Sequence, residues 1–85
     1  MLLFFSLEKE CITPPNKGEC FKHFDRFDCL STISSGGSPF DGICIWCPDG
    51  PCHDRNNNRC EPKKWLISEN LLKSEFEECP EYKGI

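Results

Sequence analysis

The sequence predicts a small disulfide-rich α+β fold: a short antiparallel sheet of two or three strands, two short helices and four disulfides. Three observations carry this. Eight cysteines in 85 residues, about 9%, fall in the range of small secreted disulfide scaffolds. Apolar residues recur at helical spacing in two places, Phe21-Phe24-Phe27 and Leu72-Phe76-Cys79. Between them, Ile43 to Cys47 alternates like a strand and runs into the turn residues Pro48-Asp49-Gly50.

A chain this short has room for one core, because small domains bury a smaller fraction of their surface. Its burial barely offsets the ordering entropy of about 1.5 kcal/mol per residue, so staples are expected, and cysteine supplies them. The cytosol keeps ordinary thiols reduced, so an even, dense set of cysteines points to an oxidising, extracellular or secreted location. The expected organisation is an N-terminal apolar arm over 1–10, one cysteine-rich domain over 11–80 and a tail over 81–85.

The arm begins MLLFFSL, an apolar run too short for a membrane span and lacking the basic region and cleavage site of a signal peptide. Oxidised cysteines then imply that a leader was removed or that the chain was cut from a larger precursor. Met1 to Leu7 is expected to lie on the core as an edge strand or arm.

After Pro14-Pro15, the stretch CFKHFDRFDCL reads as a helix that buries Phe21, Phe24 and Phe27, with Leu30 extending the stripe. His23, between them, reads as a satisfied or solvent-facing histidine. STISSGGSP, residues 31–39, reads as a flexible connector. The strand at Ile43–Cys47 is expected to fold back through Pro48-Asp49-Gly50 to Pro51-Cys52-His53. A second turn at Asn56-Asn57-Asn58 then leads to a third short strand at Arg59-Cys60. His53 with Asp54 reads as a solvated turn pair.

Near the C-terminus, Ser68 is placed as an N-cap with Glu69 in the first turn. Leu72, Phe76 and Cys79 form the inner face of the helix and Pro80 ends it. Trp65 and Leu66 dock the segment, while Glu75, Glu77, Glu78 and Glu81 face solvent.

Lys and Arg number 10 against 14 Asp and Glu, a net charge of −4 with no basic cluster. Nucleic-acid binding and membrane insertion are therefore not expected, and the implied partner is a protein. Cys44 and Cys47 make the CxxC half of a zinc site, but no second CxxC or HxxxH follows. The same CxxC lacks the helix that a thioredoxin-like thiolate needs, since Pro48-Asp49-Gly50 comes next. No Gly-x-Ser-x-Gly elbow organises a hydrolase. The sequence thus predicts no enzyme, no cofactor and no metal, with all eight cysteines in disulfides. On an extended strand, Cys44 and Cys47 lie roughly 10 Å apart, too far to bridge each other. Spacing alone leaves about 105 ways to pair eight cysteines.

The run Cys44-Ile45-Trp46-Cys47, followed by Cys52, Cys60, Trp65-Leu66 and Cys79-Pro80, resembles the PSI domain of plexins, semaphorins and integrin β subunits. Cys29-Leu30 is similar to the family's third cysteine and the leucine after it. Eight residues separate Cys20 from Cys29 where the family has two, and the Cys29–Cys44 loop is longer than usual. The resemblance implies the pairs Cys11–Cys44, Cys20–Cys79, Cys29–Cys52 and Cys47–Cys60, with Trp46 packed beside the sulfurs. It also implies a non-catalytic extracellular module that orients neighbouring receptor domains as a spacer or wedge. The alternative is a free-standing secreted signalling polypeptide, pheromone-, toxin- or growth-factor-like, that binds a cell-surface receptor. The expected core is Phe21, Phe24, Phe27, Trp46, Trp65, Leu72 and Phe76.

Overall fold

The computed structural model describes residues 10–82. Met1 to Leu7, expected as an arm on the core, lies outside them, as does the tail beyond Tyr82.

Strand β3 (Asp41–Trp46) organises the fold. Its first half pairs antiparallel with β2 (Thr32–Ser35), Ile33 opposite Ile43 and Ser35 opposite Asp41. Its second half pairs antiparallel with β4 (Cys60–Pro62), Ile45 opposite Glu61 and Trp46 opposite Cys60. β1 (Asn16–Gly18) adds to the outer edge of β2 in parallel. The result is a four-stranded mixed sheet in the order β1-β2-β3-β4, larger than the two or three strands that the sequence predicts and not purely antiparallel. The extra pairing comes from residues 31–39, which do not form a flexible connector. Thr32–Ser35 find backbone partners on both sides, and only residues 36–40 turn. Ser31 and Thr32 are buried because their hydroxyls are satisfied. Ser31 Oγ accepts from Ile12 N at 3.0 Å, and Thr32 Oγ1 donates to the Asp28 carbonyl at 2.8 Å.

Side chains alternate across β3, and two half-cores result. Cys44 and Trp46 face one side with Cys20, Cys29, Leu30, Cys60 and Tyr82. Ile45 and Cys47 face the other with Cys52 and Leu66.

The phenylalanine segment is not one helix. A 3₁₀ turn over Cys20–Lys22 ends at His23, whose backbone is extended (φ −104°, ψ 126°). Helix α1 (Arg26–Leu30) starts afresh under the Asp25 cap, which accepts from Asp28 N at 3.1 Å. Cys20, Cys29 and Leu30 take the buried positions, so the rings turn outward: Phe24 is 87% exposed, and Phe21 and Phe27 are 48% and 40% exposed. A bridge requires its two Cα atoms within about 6–7 Å, and that demand overrides the hydrophobic stripe. Of the expected core, Trp46 is buried, while Trp65, Leu72 and Phe76 are half-buried against the second half-core.

Helix α2 (Lys63–Ser68) leaves β4 directly after Pro62, so Ser68 ends a helix instead of capping the start of one. The terminator is a Schellman motif. Asn70 sits in the left-handed region (φ 59°), its N–H donating to the Ile67 carbonyl at 3.0 Å and Leu71 N–H to the Leu66 carbonyl at 2.8 Å. Leu66 and Leu71 also meet in the same half-core. The rest of the segment is non-helical. Leu72 and Phe76 pack from it, and Glu77 pairs with Trp46 on the flank of β3 that β2 has left, through two 2.9 Å backbone hydrogen bonds. The acidic face is accordingly not uniformly solvated: Glu77 accepts from Arg26 Nε at 2.6 Å and Glu78 from Lys63 Nζ at 2.7 Å, while Glu75 and Glu81 are exposed.

Candidate recognition surface

The site is built on the sulfur framework, in which every cysteine is bridged. The pairs are Cys11–Cys79, Cys20–Cys44, Cys29–Cys60 and Cys47–Cys52. None of the four pairings implied by the PSI resemblance forms. The expectation that Cys44 and Cys47 bond elsewhere holds, and strand alternation gives the reason for the actual choice. Cys60, opposite Trp46, shares the first half-core with Cys44, whereas Cys47 faces away from it. Cys47 therefore bridges across the Pro48–Pro51 turn to Cys52, with Cα atoms 5.3 Å apart. That bridge replaces the expected return strand at Pro51-Cys52-His53. On the other face, the sulfurs of Cys20, Cys44 and Cys60 lie within 4.8 Å of one another, so two bridges stack at the centre of the first half-core. Cys44 and Cys47 are both consumed as disulfides and offer no thiolate pair to zinc.

Cys11–Cys79 joins the two ends of the described chain, and the Tyr82 hydroxyl reinforces it by donating to the Ile12 carbonyl. Burial, and then the Glu81 charge, push the Tyr82 phenol up from its ordinary value. Arg26 adds a second clasp, reaching Glu10 on one side and Glu77 on the other. Its hydrogen bonds to these two carboxylates raise the guanidinium further.

The surface on this frame is aromatic. Phe21, Phe24 and Phe27 project from the segment between Cys20 and Cys29, and Phe40 from the β2–β3 turn is 50% exposed. Phe40 stacks on Trp65, centroids 6.2 Å apart and planes 24° from parallel. With Phe21 they wall a groove of about 440 Å³ whose lining also includes Glu19, Pro62 and Glu61.

Both histidines are engaged. His23 Nε2 is 3.1 Å from Thr32 Oγ1. Because that hydroxyl already gives its proton to Asp28, the imidazole donates. His53 is not part of a solvated turn pair: it is buried, with Nε2 2.8 Å from Glu61 Oε2 and its ring edge-on to Trp65 at 5.3 Å. Asp54 is exposed. The sequence carries little sign of this pairing, since His53 and Glu61 meet only after the Asn-rich turn folds back and Arg59 fastens it. Arg59 lies 4.7 Å over the Trp46 ring, and its Nε donates to the Cys47 carbonyl at 3.0 Å.

The four disulfides are consistent with an extracellular or secreted protein, and no helix among the described residues is long and apolar enough to cross a membrane. No protein-family model, no curated protein and no solved structure matches the chain.

Proposed function

We propose that the chain is a non-catalytic extracellular module that works by protein–protein contact through its exposed phenylalanine segment. The observation that carries this reading is the inversion at Phe21, Phe24 and Phe27. A fold short of interior residues places sulfur inside and leaves three large rings in solvent. Large aromatic anchors dominate binding energy at protein interfaces, and two flanking bridges, from Cys20 and Cys29, hold this segment with little ordering entropy left to lose. The structural engagement of both histidines further supports a role in contact over one in proton transfer. A spacer between receptor domains, as the PSI resemblance implies, and a free-standing receptor-binding signal both use such a surface.

The test is saturable binding of the fluorescently labelled, oxidised chain to cells of its source, competed by unlabelled chain. Phe24→Ser with Phe27→Ser is expected to lower affinity about 30-fold, the scale of a hot-spot loss of about 2 kcal/mol. Equal binding by the double variant, or by reduced and alkylated chain, would overturn the reading. Binding by the isolated chain favours the signal. Binding only when the chain is fused to its flanking extracellular domains favours the spacer.

A further inference from the structure

The groove walled by Phe21, Phe40 and Trp65 holds a carboxylate that no cation of the described residues neutralises. Glu61 lines it from β4, opposite Ile45, with its side chain only 6% exposed. Its hydrogen-bond partner is His53, and the state of that imidazole follows from its other nitrogen. His53 Nδ1 accepts from the backbone N–H of Arg55 at 3.0 Å. A ring that accepts at Nδ1 carries its proton on Nε2 and is neutral. The 2.8 Å contact is then an N–H donated to an anionic Glu61.

The neighbouring cations are occupied elsewhere. Arg55 pairs with Glu69, Lys63 with Glu78 and Lys64 with Asp41, and Arg59 holds the Cys47 and Pro48 carbonyls. The hydrogen bond that Glu61 takes from the described side chains reaches Oε2, which leaves Oε1 free to face a ligand. A largely buried carboxylate is stabilised by a positive charge that reaches it. The walls suit such a charge. Aromatic faces attract alkylammonium ions within about 6 Å of the ring centroid and more strongly where water is excluded. A volume of about 440 Å³ also falls in the range of small-ligand sites, about 300–1,000 Å³.

We infer that this groove is a binding site for an alkylammonium group, charge-paired to Glu61 and enclosed by Phe21, Phe40 and Trp65. The inference rests on the proposed recognition role only in taking a partner's lysine side chain as the source of the cation. The site itself is testable without any partner.

The experiment titrates the oxidised chain by ¹H–¹⁵N NMR with Nα-acetyl-lysine methylamide and its uncharged Nε-acetyl counterpart. Choline and its uncharged isostere 3,3-dimethylbutanol form a second pair of probes. Saturable shifts at the Trp65 indole and the Phe40 amide are expected with the cations, with affinity at least tenfold weaker for each uncharged partner. Glu61→Gln, which keeps an acceptor for His53 Nε2–H, is expected to weaken the cations at least tenfold and leave the uncharged probes unchanged. Phe40→Leu, at a position 50% exposed, is expected to weaken them several-fold and tests the site should Glu61→Gln fail to fold. Tighter binding of the lysine amide upholds the site with a protein side chain as ligand, and tighter binding of choline upholds it with a free small cation. Equal affinity for charged and uncharged probes overturns the inference. So does the absence of shifts at about 10 mM ligand, where a site of millimolar affinity is about nine-tenths filled. Either failure leaves the cell-binding test of Phe24 and Phe27 untouched, so the two readings fail separately.

Discussion

Removing the Cys11–Cys79 bridge is expected to destabilise the fold about twice as much as removing Cys47–Cys52. The perturbation is a pair of double variants, Cys11→Ala with Cys79→Ala and Cys47→Ala with Cys52→Ala. All four cysteines are buried, at 0%, 1%, 4% and 1% exposure, so the packing lost is similar in the two cases. Alanine also adds no hydroxyl in need of a partner. What differs is the loop that each bridge closes, 68 residues of sequence separation against 5. Crosslink entropy grows with the logarithm of loop length. For these loops it amounts to about 4.4 and about 2.1 kcal/mol, a difference of about 2.3 kcal/mol. For a domain of this size 1 kcal/mol moves Tm by about 4–8 °C, so losses of about 18–35 °C and about 8–17 °C are expected. Urea unfolding followed by near-UV circular dichroism, with the remaining bridges confirmed by mass spectrometry, measures both. Equal losses, or a larger loss for the short loop, would show that local packing and not restriction of the unfolded chain carries the stabilisation.

Two further expectations follow from the backbone and the surface charges. Asn70 adopts a left-handed conformation at the end of α2, so Asn70→Gly should be neutral or stabilising, while Asn70→Val should cost about 1–2 kcal/mol in urea unfolding; equal stability of the two variants would remove the Schellman account. The Lys64 hydrogen bond at 2.9 Å holds the Asp41 carboxyl below its ordinary 3.8. A depressed carboxylate contributes stability above the unfolded value and loses it as pH falls through the folded one. Lys64→Met should therefore be less stable than the parent at neutral pH, and the gap should close as the pH falls well below 3.8. It should also bring the Asp41 carboxyl back toward its ordinary value by NMR titration, and an unchanged titration would break the link.

Much of the fold was legible where local chemistry is decisive. The strand at Ile43–Cys47, the turn at Pro48-Asp49-Gly50 and a short strand at Cys60 all form close to where alternation and turn residues place them. A helix forms within the phenylalanine segment, at Arg26–Leu30, but the C-terminal one lies at Lys63–Ser68 and not after Ser68, because period and propensity are weak against crosslinks. The three-residue spacing of Phe21, Phe24 and Phe27 is a genuine helical signal, but the buried faces there belong to Cys20, Cys29 and Leu30. Ser68 marks the end of the C-terminal helix and not its start, because Ser and Asn suit either end of a helix. The Leu71-to-Leu66 hydrogen bond is visible only once the chain has turned. The Ser/Gly segment forms a strand against its composition, because hydroxyl-rich sequence looks solvated until Ser31 and Thr32 find partners among Ile12, Asp28 and His23.

By itself the sequence determined that sulfur would hold this chain together, that all eight cysteines would pair, and that Cys44 and Cys47 would not pair with each other. These follow from composition and from the length of an extended strand. Which sulfur meets which was decided only by tertiary structure. The alternating faces of β3 assign Cys44 and Cys47 to separate half-cores, and a bridge forms only between Cα atoms brought within about 6 Å. The same holds for the buried His53–Glu61 pair, in which the Arg55 backbone N–H occupies His53 Nδ1, and for the aromatic groove beside it.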